Sequence, residues 1–200
     1  MRDGFVKVGA ATPDILVADC VHNREEIVKK VKEMAEAGTK VMAFPELCIT
    51  GYTCSDLFWQ ELLLVRAKEE LHKLEEELEE VEGLIIVGLP LEFNQKLYNT
   101  VAVISGGKVL GFVPKHHLPN YAEFYEARHF TAGRAFEGMV NWYGREVPFG
   151  QNLLFVCEEL PQLVTAVEVC EDLWAPNPPS ISHALSGATL IINPSASDEA

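Results

Sequence analysis

The sequence predicts an α/β (α+β) fold in which helices cover mixed β-sheets. Eight short apolar runs, many of them rich in β-branched residues, have the length of strands. A helical pattern separates the early runs, a glycine-rich turn links two runs in the middle, and another helical segment precedes the last run. Because helical crossovers join parallel strands and hairpins join antiparallel ones, the two kinds of connection together predict a mixed sheet.

The predicted strands are the apolar runs bounded by turn residues. They cover Phe5 to Ala11, Val41 to Phe44, Leu84 to Leu89, Asn99 to Ser105, Val109 to Val113, Leu153 to Val156, Val164 to Val169 and Thr189 to Ile192. Turns are predicted at Asn94, at the pair Gly106-Gly107 and at Gly133. The Gly-Gly pair stands between two strands and predicts a hairpin.

The first predicted helix begins near Asn23 and ends near Gly38. Asn23 can act as the N-cap, and Glu26, three residues later, completes a capping box. Glycine is common just after a helix, which favours an end at Gly38. The apolar face that this helix is expected to bury consists of Ile27, Val31, Met34 and Ala35.

A second helix is predicted to stop at Gly83 and to pack one apolar stripe onto a sheet. The stripe consists of Leu64, Leu71, Leu74, Leu78 and Val81. The same segment holds much of the net charge of -14, and its glutamates are expected to form a solvated face. They are Glu69, Glu70, Glu75, Glu76, Glu77, Glu79, Glu80 and Glu82. A third, shorter helix is predicted from Ser180 to Leu185, after Pro176, Pro178 and Pro179.

Composition narrows the class of protein. Hydrophobic residues make up 48% of the 200 residues, which is enough for a substantial core. The acidic balance argues against a nucleic-acid partner, because phosphate binding requires clustered lysine and arginine. Charge or proline interrupts each apolar stretch before it reaches the length of a membrane span, and no apolar signal core follows Met1 to Asp3. We therefore predict a cytoplasmic protein without a membrane partner.

The five cysteines are predicted to be reduced thiols. They are Cys20, Cys48, Cys54, Cys157 and Cys170, and they show no paired CxxC spacing. A zinc site is not predicted, because the histidines do not fall at ligand spacing with two cysteines. The histidines concerned are His116, His117, His129 and His183.

Three stretches each place one reactive side chain where an apolar run ends. Glu46 stands in AFPELCITGY, Lys115 in GFVPKHHLPNY and Cys170 in VEVCEDLW. Side chains at strand ends are held rigidly and can still reach a pocket. Taken singly, each has an ordinary interpretation: an acidic strand end, a loop lysine in solvent and a buried structural thiol. Together they suggest a carboxylate base, a cation for an oxyanion and a thiol nucleophile.

The order Glu, Lys, Cys in these contexts resembles the nitrilase superfamily of carbon-nitrogen hydrolases. Within that superfamily, the run KHHLPNYAEFYEARHF and the segments CEDLWAPNPPS and INPSAS are similar to the N-terminal glutaminase (amidotransferase) domains of glutamine-dependent NAD synthetases. The resemblance extends over nearly the whole chain. It implies a nitrilase-like four-layer α-β-β-α sandwich with mixed sheets, formed by one domain over residues 1–200.

The resemblance implies that Glu46, Lys115 and Cys170 hydrolyse the side-chain amide of glutamine. Cys170 would form a thioester, Lys115 would hold the oxyanion and Glu46 would transfer protons. Contacts to the substrate are implied for Tyr121, Phe124, Glu126, Glu171 and Ser197, with Glu126 as a second acidic residue near the lysine. Simple core filling is the alternative interpretation of Tyr121 and Phe124.

No cofactor or metal is implied for the amide hydrolysis. ATP and Mg²⁺ are expected only in a synthetase domain, which would use the ammonia to form NAD from its deamido precursor. Because the family's domain normally continues beyond INPSAS, the chain is expected to be an N-terminal fragment without the synthetase domain, and homo-oligomers are expected. Two alternatives stay open: a free-standing amidase or carbamoylase of the same superfamily, and a non-catalytic module for assembly.

Overall fold

A computed structural model describes residues 4–133 and 137–197 of the chain. Its strands are β1 Val8–Ala10, β2 Val41–Ala43, β3 Leu84–Phe93, β4 Lys96–Ser105, β5 Lys108–Pro114, β6 Gly138–Trp142, β7 Arg145–Phe149, β8 Phe155–Val156, β9 Val164–Val167 and β10 Leu190–Ile192. Its helices are α1 Cys20–Glu36, α2 Glu61–Glu77 and α3 Pro179–Leu185. In these residues, a seven-stranded sheet has the order β1-β2-β3-β4-β5-β7-β6, and a three-stranded sheet has the order β10-β9-β8.

Both sheets mix parallel and antiparallel neighbours, as predicted. In the larger sheet, β1, β2 and β3 run parallel, β3, β4 and β5 pair antiparallel, and β5 pairs in parallel with β7. The smaller sheet pairs β10 in parallel with β9, and β9 antiparallel with β8. The predicted Gly106-Gly107 turn joins β4 to β5, and Asn94 and Gln95, both with left-handed backbone, join β3 to β4.

Alternation along the central strands divides the core into two layers. Met42 and Phe112 face one way and pack in the same cluster as the apolar faces of α1 and α2. The alternate residue Val41 faces the other way and belongs to a cluster with Val167 of β9 and Val169 just beyond that strand. α3 contacts β9, and its Ser180 N–H donates to Glu168, which alternates with Val167 and Val169 and therefore faces away from their cluster. The order of layers is therefore helices, sheet, sheet and helix, as in the predicted four-layer sandwich.

The start of α1 differs from the prediction. The side chain of Asp19 caps the helix by accepting a hydrogen bond from its first turn at 3.1 Å. Asn23, the predicted cap, is buried within the helix, and its amide donates to the carbonyl of Leu16 at 2.8 Å and to that of Ile49 at 3.0 Å. The predicted capping box with Glu26 is therefore wrong, because the Asn23 amide instead binds the loops that contain Leu16 and Ile49 to the helix.

Other helix bounds differ from the prediction by one to several residues. α1 ends at Glu36, two residues before Gly38, whose φ of 81° is left-handed. α2 ends at Glu77 rather than near Gly83, and Leu78 and Val81 of its predicted stripe pack with the core from beyond the helix. α3 begins at Pro179, one residue before its predicted start, since the first turn of a helix tolerates proline. No helix in the described ranges is long and apolar enough to cross a membrane.

The β6–β7 hairpin was absent from the prediction. Its strands meet at Tyr143 and Gly144, whose φ values are 46° and 82°. Buried and exposed residues alternate along much of both strands, with the period of two that identifies a half-buried strand. The sequence therefore contained this signal, although polar residues interrupt it. Conversely, the first strand was predicted too long. It begins at Val8 rather than at Phe5, and Phe5 is 81% exposed.

Two glutamates of α2 are buried, so the prediction of a uniformly solvated acidic face is wrong. Glu70 accepts a hydrogen bond from Nε of Arg24 at 2.7 Å. Glu75 accepts one from Nε1 of Trp142 at 2.6 Å and one from the backbone N–H of Val109 at 2.7 Å. Partners from distant parts of the chain thus satisfy both carboxylates, which is the condition for burying them.

Replacement of Glu75 by glutamine is expected to lower the free energy of unfolding by about 1–3 kcal/mol. Glu75 also accepts a hydrogen bond from Arg145 at 2.5 Å. A neutral amide has one acceptor atom and cannot satisfy the indole, the guanidinium and the backbone N–H together. Chemical denaturation measures the loss. Glu80→Gln, at an exposed position just beyond α2, is the matched control, and equal stability of the two variants contradicts the expectation.

Candidate active site

Glu46 lies in a tight turn that follows β2 and presses against β3. The backbone N–H of Ile49 donates to the carbonyl of Gly88 at 3.1 Å, and Leu47 adopts a left-handed φ of 53°. A Cβ atom at Gly88 would lie 2.7 Å from the carbonyl oxygen of Pro45 and would also collide with the backbone N of Leu47. Gly88 therefore allows the approach that places the Glu46 carboxylate in the core.

Replacement of Gly88 by alanine is expected to destabilise the fold by about 1–3 kcal/mol, because the added methyl group meets backbone atoms that cannot move aside. It is also expected to displace Glu46. Thermal unfolding measures the loss. Gly150→Ala is the matched control, since the atom nearest to its Cβ would be the side-chain Cγ of Glu137 at 3.1 Å. A Gly88→Ala protein as stable as the Gly150→Ala protein contradicts this account of the turn.

Lys115 is the first residue beyond β5. Its N–H donates to the carbonyl of Asn99 at 2.8 Å, which continues the pairing with β4, and its own carbonyl accepts from Gly133 at 2.8 Å. Gly133 was predicted to mark a turn but lies in irregular backbone, where an added Cβ would meet Cγ of Pro114 at 2.5 Å. Backbone contacts on both sides therefore fix Lys115.

The ammonium group of Lys115 is fully buried between two carboxylates. Its Nζ lies 2.6 Å from Oε1 of Glu46 and 2.7 Å from Oε1 of Glu126. Nδ2 of Asn99 donates to Oε1 of Glu46 at 2.6 Å, and the hydroxyl of Tyr52 donates to Oε1 of Glu126 at 2.7 Å. One cation and two acidic side chains thus form a single buried, hydrogen-bonded cluster.

Opposing effects set the protonation of this cluster. Burial by itself would lower the pKa of Lys115, but the carboxylates of Glu46 and Glu126 outweigh it and raise that pKa above its ordinary value. Lys115 is therefore charged at neutral pH. Burial and the charge of Glu46 raise the pKa of Glu126, against the opposing effects of Lys115 and Tyr52. Glu126 is thus protonated more readily than an ordinary glutamate.

Cys170 follows β9 and opens the 3-10 turn Cys170–Trp174. Its φ of 46° lies in the left-handed region, which is strained for a residue other than glycine. Its N–H donates to the carbonyl of Pro194 at 3.0 Å, and Nδ2 of Asn193 donates to its carbonyl at 3.3 Å. The segment after β10 therefore stabilises the strained turn that carries the thiol.

The thiol of Cys170 adjoins the charged cluster. Burial and the carboxylate of Glu46 raise its pKa, whereas the Lys115 ammonium and the backbone N–H of Ala196 act in the opposite direction. The same N–H donates to Oε2 of Glu46 at 3.3 Å. The resting thiol is therefore protonated at neutral pH, with an acceptor for its proton and a cation nearby. The three side chains predicted to act together are neighbours in space.

Four of the five predicted substrate contacts lie at the rim of this site. The hydroxyl of Tyr121 lies 3.0 and 3.2 Å from the two carboxylate oxygens of Glu171, and its ring centroid lies 5.9 Å from that of Phe124. Tyr121 is 56% exposed, so core filling does not account for it. Ser197 is exposed, with its Oγ 4.0 Å from the thiol. Glu126 differs from these four because it belongs to the buried cluster.

Sequence reasoning missed three polar residues of the site, Tyr52, Asn99 and Asp172. Asn99 is buried, and its Nδ2 also lies 3.4 Å from Oε2 of Glu126, so it contacts both carboxylates. A buried polar residue requires partners, so an asparagine within the apolar run YNTVAVIS was an available signal. Tyr52 and Asp172 had no comparable signal, because neither lies within an apolar run of strand length.

The remaining cysteines lack this environment. All five are free thiols, and Cys20, Cys48 and Cys54 are buried. Burial raises the pKa of Cys20 and that of Cys48 to about 12 in each case, which keeps both protonated. Across residues 4–133 and 137–197, no three histidine, cysteine, aspartate or glutamate side chains are placed to hold a metal ion. The arrangement at Cys170 is instead suited to acyl transfer through a thiol.

A family model and individual protein sequences both match most of this chain. The family model described as carbon-nitrogen hydrolase matches residues 7–199. The glutamine-dependent NAD(+) synthetase of Mycobacterium tuberculosis (strain H37Rv) is 39% identical over 196 residues, which are 98% of this chain and 29% of that protein. That of Aquifex aeolicus is 36% identical over 182 residues, 90% of this chain and 28% of that protein. The chain thus spans less than a third of these relatives' length.

Solved structures share the fold. A glutamine-dependent NAD(+) synthetase from Cytophaga hutchinsonii superposes with a TM-score of 0.86 at 31% identity, over 98% of this chain and 31% of that chain. An amidase from Nesterenkonia sp. superposes with a TM-score of 0.72 at 21% identity, over 100% of this chain and 68% of that chain. At that identity the amidase shows the fold alone. Because the family model matches nearly the whole chain, the protein belongs to the carbon-nitrogen hydrolase family.

Proposed function

We propose that this chain is the glutaminase domain of a glutamine-dependent NAD synthetase. It hydrolyses the side-chain amide of glutamine through a thioester on Cys170 and supplies the ammonia to a synthetase domain. The observation that supports this most is the burial of the Lys115 ammonium between Glu46 and Glu126, beside the thiol. Burying a charge is costly, and a cation next to a nucleophile suits the stabilisation of an oxyanion.

The first half of the reaction forms the thioester. The sulfur of Cys170 attacks the amide carbon while Glu46 accepts the thiol proton, and the negative charge moves to the amide oxygen. Lys115 and the backbone N–H of Glu171 hold this oxyanion. Of the three N–H donors of Lys115, two are directed to Glu46 and Glu126, so one remains for the oxyanion. Glu46 then protonates the nitrogen, the C–N bond breaks, and ammonia leaves a γ-glutamyl thioester.

The second half of the reaction releases glutamate. Glu46 accepts a proton from a water molecule, whose oxygen attacks the thioester carbon, and Lys115 again holds the oxyanion. The C–S bond breaks, and the sulfur of Cys170 recovers its proton from Glu46. Two steps are easier than one, because an amide is a poor electrophile and its nitrogen leaves only when it is protonated.

Side chains at the rim select glutamine. Glu171 pairs with the α-ammonium group, Ser197 adds a hydrogen bond, and the rings of Tyr121 and Phe124 line the wall. The hydrogen bond from Tyr121 orients the Glu171 carboxylate. Polar contacts of this kind are required, because one methylene group in an apolar pocket changes binding by only about 1–3 kcal/mol.

A synthetase domain of the same protein consumes the ammonia. It forms NAD from deamido-NAD with ATP and Mg²⁺, whereas the amide hydrolysis itself uses no cofactor. The names of the relatives and the small share of their length that this chain matches support this division of labour. We place the protein in the cytoplasm as a homo-oligomer.

Release of glutamate and ammonia from glutamine tests the proposal, with asparagine in a parallel assay. We expect glutamine to be hydrolysed, and asparagine to be hydrolysed roughly 10–200 times more slowly. The Cys170→Ala protein provides the blank. If neither this chain nor the longer protein that contains it releases ammonia from glutamine, the proposed function is wrong.

A further inference from the structure

Asp172 is a buried carboxylate that the reaction above does not use. It is 0% exposed, and its hydrogen-bond partners in the described part of the chain are all backbone N–H groups. The N–H of His116 lies 3.0 Å from Oδ1 and 3.2 Å from Oδ2, that of His117 lies 2.6 Å from Oδ1, and that of Val169 lies 3.0 Å from Oδ2. Burial raises the pKa of Asp172, whereas these N–H groups and the charge of His117 oppose that rise.

The three N–H groups belong to the two segments that carry reactive side chains. His116 and His117 directly follow Lys115, where β5 of the larger sheet ends. Val169 directly precedes Cys170, beyond the end of β9 in the smaller sheet. The Asp172 carboxylate therefore ties the backbone next to the lysine to the backbone next to the thiol, across the boundary between the two sheets.

We propose that Asp172 is a positioning residue that sets the distance between the Lys115 ammonium and the Cys170 thiol. Hydrogen bonds from backbone N–H groups to a carboxylate are charge-assisted and stronger than those between neutral groups, which makes the tie stiff. Asp172 itself contacts neither the substrate nor the reacting atoms. The catalytic consequence rests on the proposed function, whereas the geometric consequence concerns the thiol alone.

Replacement of Asp172 by asparagine opens the tie on one side without a change in side-chain size. Asparagine keeps one carbonyl oxygen, which can serve either the histidine amides or the Val169 amide. Its NH₂ group then faces an N–H group, and two donors cannot bond. We expect kcat for glutamine to fall about 100-fold, as for a reactive group displaced by about 1 Å. KM should change little, because the rim residues keep their own contacts.

The direction in which the pKa of Cys170 shifts distinguishes a displaced Lys115 ammonium from the mere loss of the negative charge at Asp172. Around Cys170, Lys115 lowers its pKa and Glu46 raises it. A displaced ammonium therefore moves the titration to higher pH, whereas the mere loss of a negative charge at Asp172 would move it to lower pH. The rate of Cys170 alkylation by iodoacetamide across pH measures this titration without any substrate. We expect the midpoint to move upward in Asp172→Asn.

Glu75→Gln is the matched control, because Glu75 is also a buried carboxylate that accepts a backbone N–H, and it lies in α2 outside the site. This variant should lose stability and keep the wild-type midpoint. An unchanged or lowered midpoint in Asp172→Asn, or an equal rise in the control, overturns the proposal. If the wild type does not hydrolyse glutamine but the midpoint rises only in Asp172→Asn, the proposed function fails and the positioning role stands.

Amide hydrogen exchange in the wild-type protein provides a second test, which holds even if Asp172→Asn does not fold. The amides of His116 and His117 are expected to exchange as slowly as those of β5, because a buried carboxylate binds them. Exchange of both amides at the rate of an exposed loop overturns the proposal. Slow exchange supports the tie that Asp172 forms.

Discussion

Replacement of Cys170 by alanine is expected to lower the rate of glutamine hydrolysis by roughly 10⁶-fold, the scale of loss when the nucleophile of a covalent mechanism is removed. Glu46 and Lys115 remain and can still polarise the amide, but no atom is left to form the thioester. Alanine is smaller than cysteine, so the turn is expected to fold as before. Ammonia release measures the rate, and calorimetry with glutamine should give a Kd close to that of the wild type.

Cys157→Ala is the control for this variant. Cys157 is a partly exposed free thiol just beyond β8, and its loss should leave hydrolysis unchanged. A Cys170→Ala protein that hydrolyses glutamine within tenfold of the wild-type rate shows that Cys170 is not the nucleophile. That result would remove the thioester from the mechanism.

Replacement of Glu46 by glutamine is expected to lower kcat by about 10²–10⁴-fold, the usual contribution of a general acid–base group. The amide has nearly the same shape but can neither accept the thiol proton nor return it to the leaving nitrogen. The reactivity of the Cys170 thiol toward alkylation should instead increase. Because the Glu46 carboxylate raises the pKa of Cys170, its loss should move the alkylation midpoint of that thiol to lower pH. A more reactive thiol in a slower enzyme is therefore the expected combination.

Glu75→Gln again provides the control, since it neutralises a buried carboxylate outside the site. It should affect stability and leave both kcat and the alkylation midpoint unchanged. Full activity in Glu46→Gln, or an alkylation midpoint that moves to higher pH, contradicts the role of Glu46 as the base.

The fold class could be predicted because it depends on local patterns, whereas the catalytic roles of Glu46, Lys115 and Cys170 rest on the family resemblance and stay predictions. Apolar runs of strand length identify the central strands, and the Gly-Gly pair identifies one hairpin. Glu46, Lys115 and Cys170 each stand where such a run ends, so a pattern confined to a few residues marks each of them. Their adjacency then follows from strands that end at the same edge of the sandwich.

The features that escaped prediction depend on partners distant in sequence. Locally, Glu75 is one glutamate in an acidic run, and only Trp142 and Arg145, brought near by the β6–β7 hairpin, make its burial possible. The burial of Asp172 likewise depends on the backbone N–H groups that follow Lys115, because they donate hydrogen bonds to its carboxylate. Charge patterns along a helix predict solvation by default, and only the folded structure supplies the partners that reverse it.

Covalent labelling with an electrophilic glutamine analogue tests the central claim most directly, namely that Cys170 is an activated thiol in a glutamine site. Intact mass counts the adducts and peptide mapping locates them, with Cys170→Ala and an asparagine-sized analogue as controls. We predict a single adduct on Cys170 that excess glutamine prevents. An adduct on another cysteine, or no adduct on Cys170 in either this chain or the proposed full-length synthetase, would contradict the account.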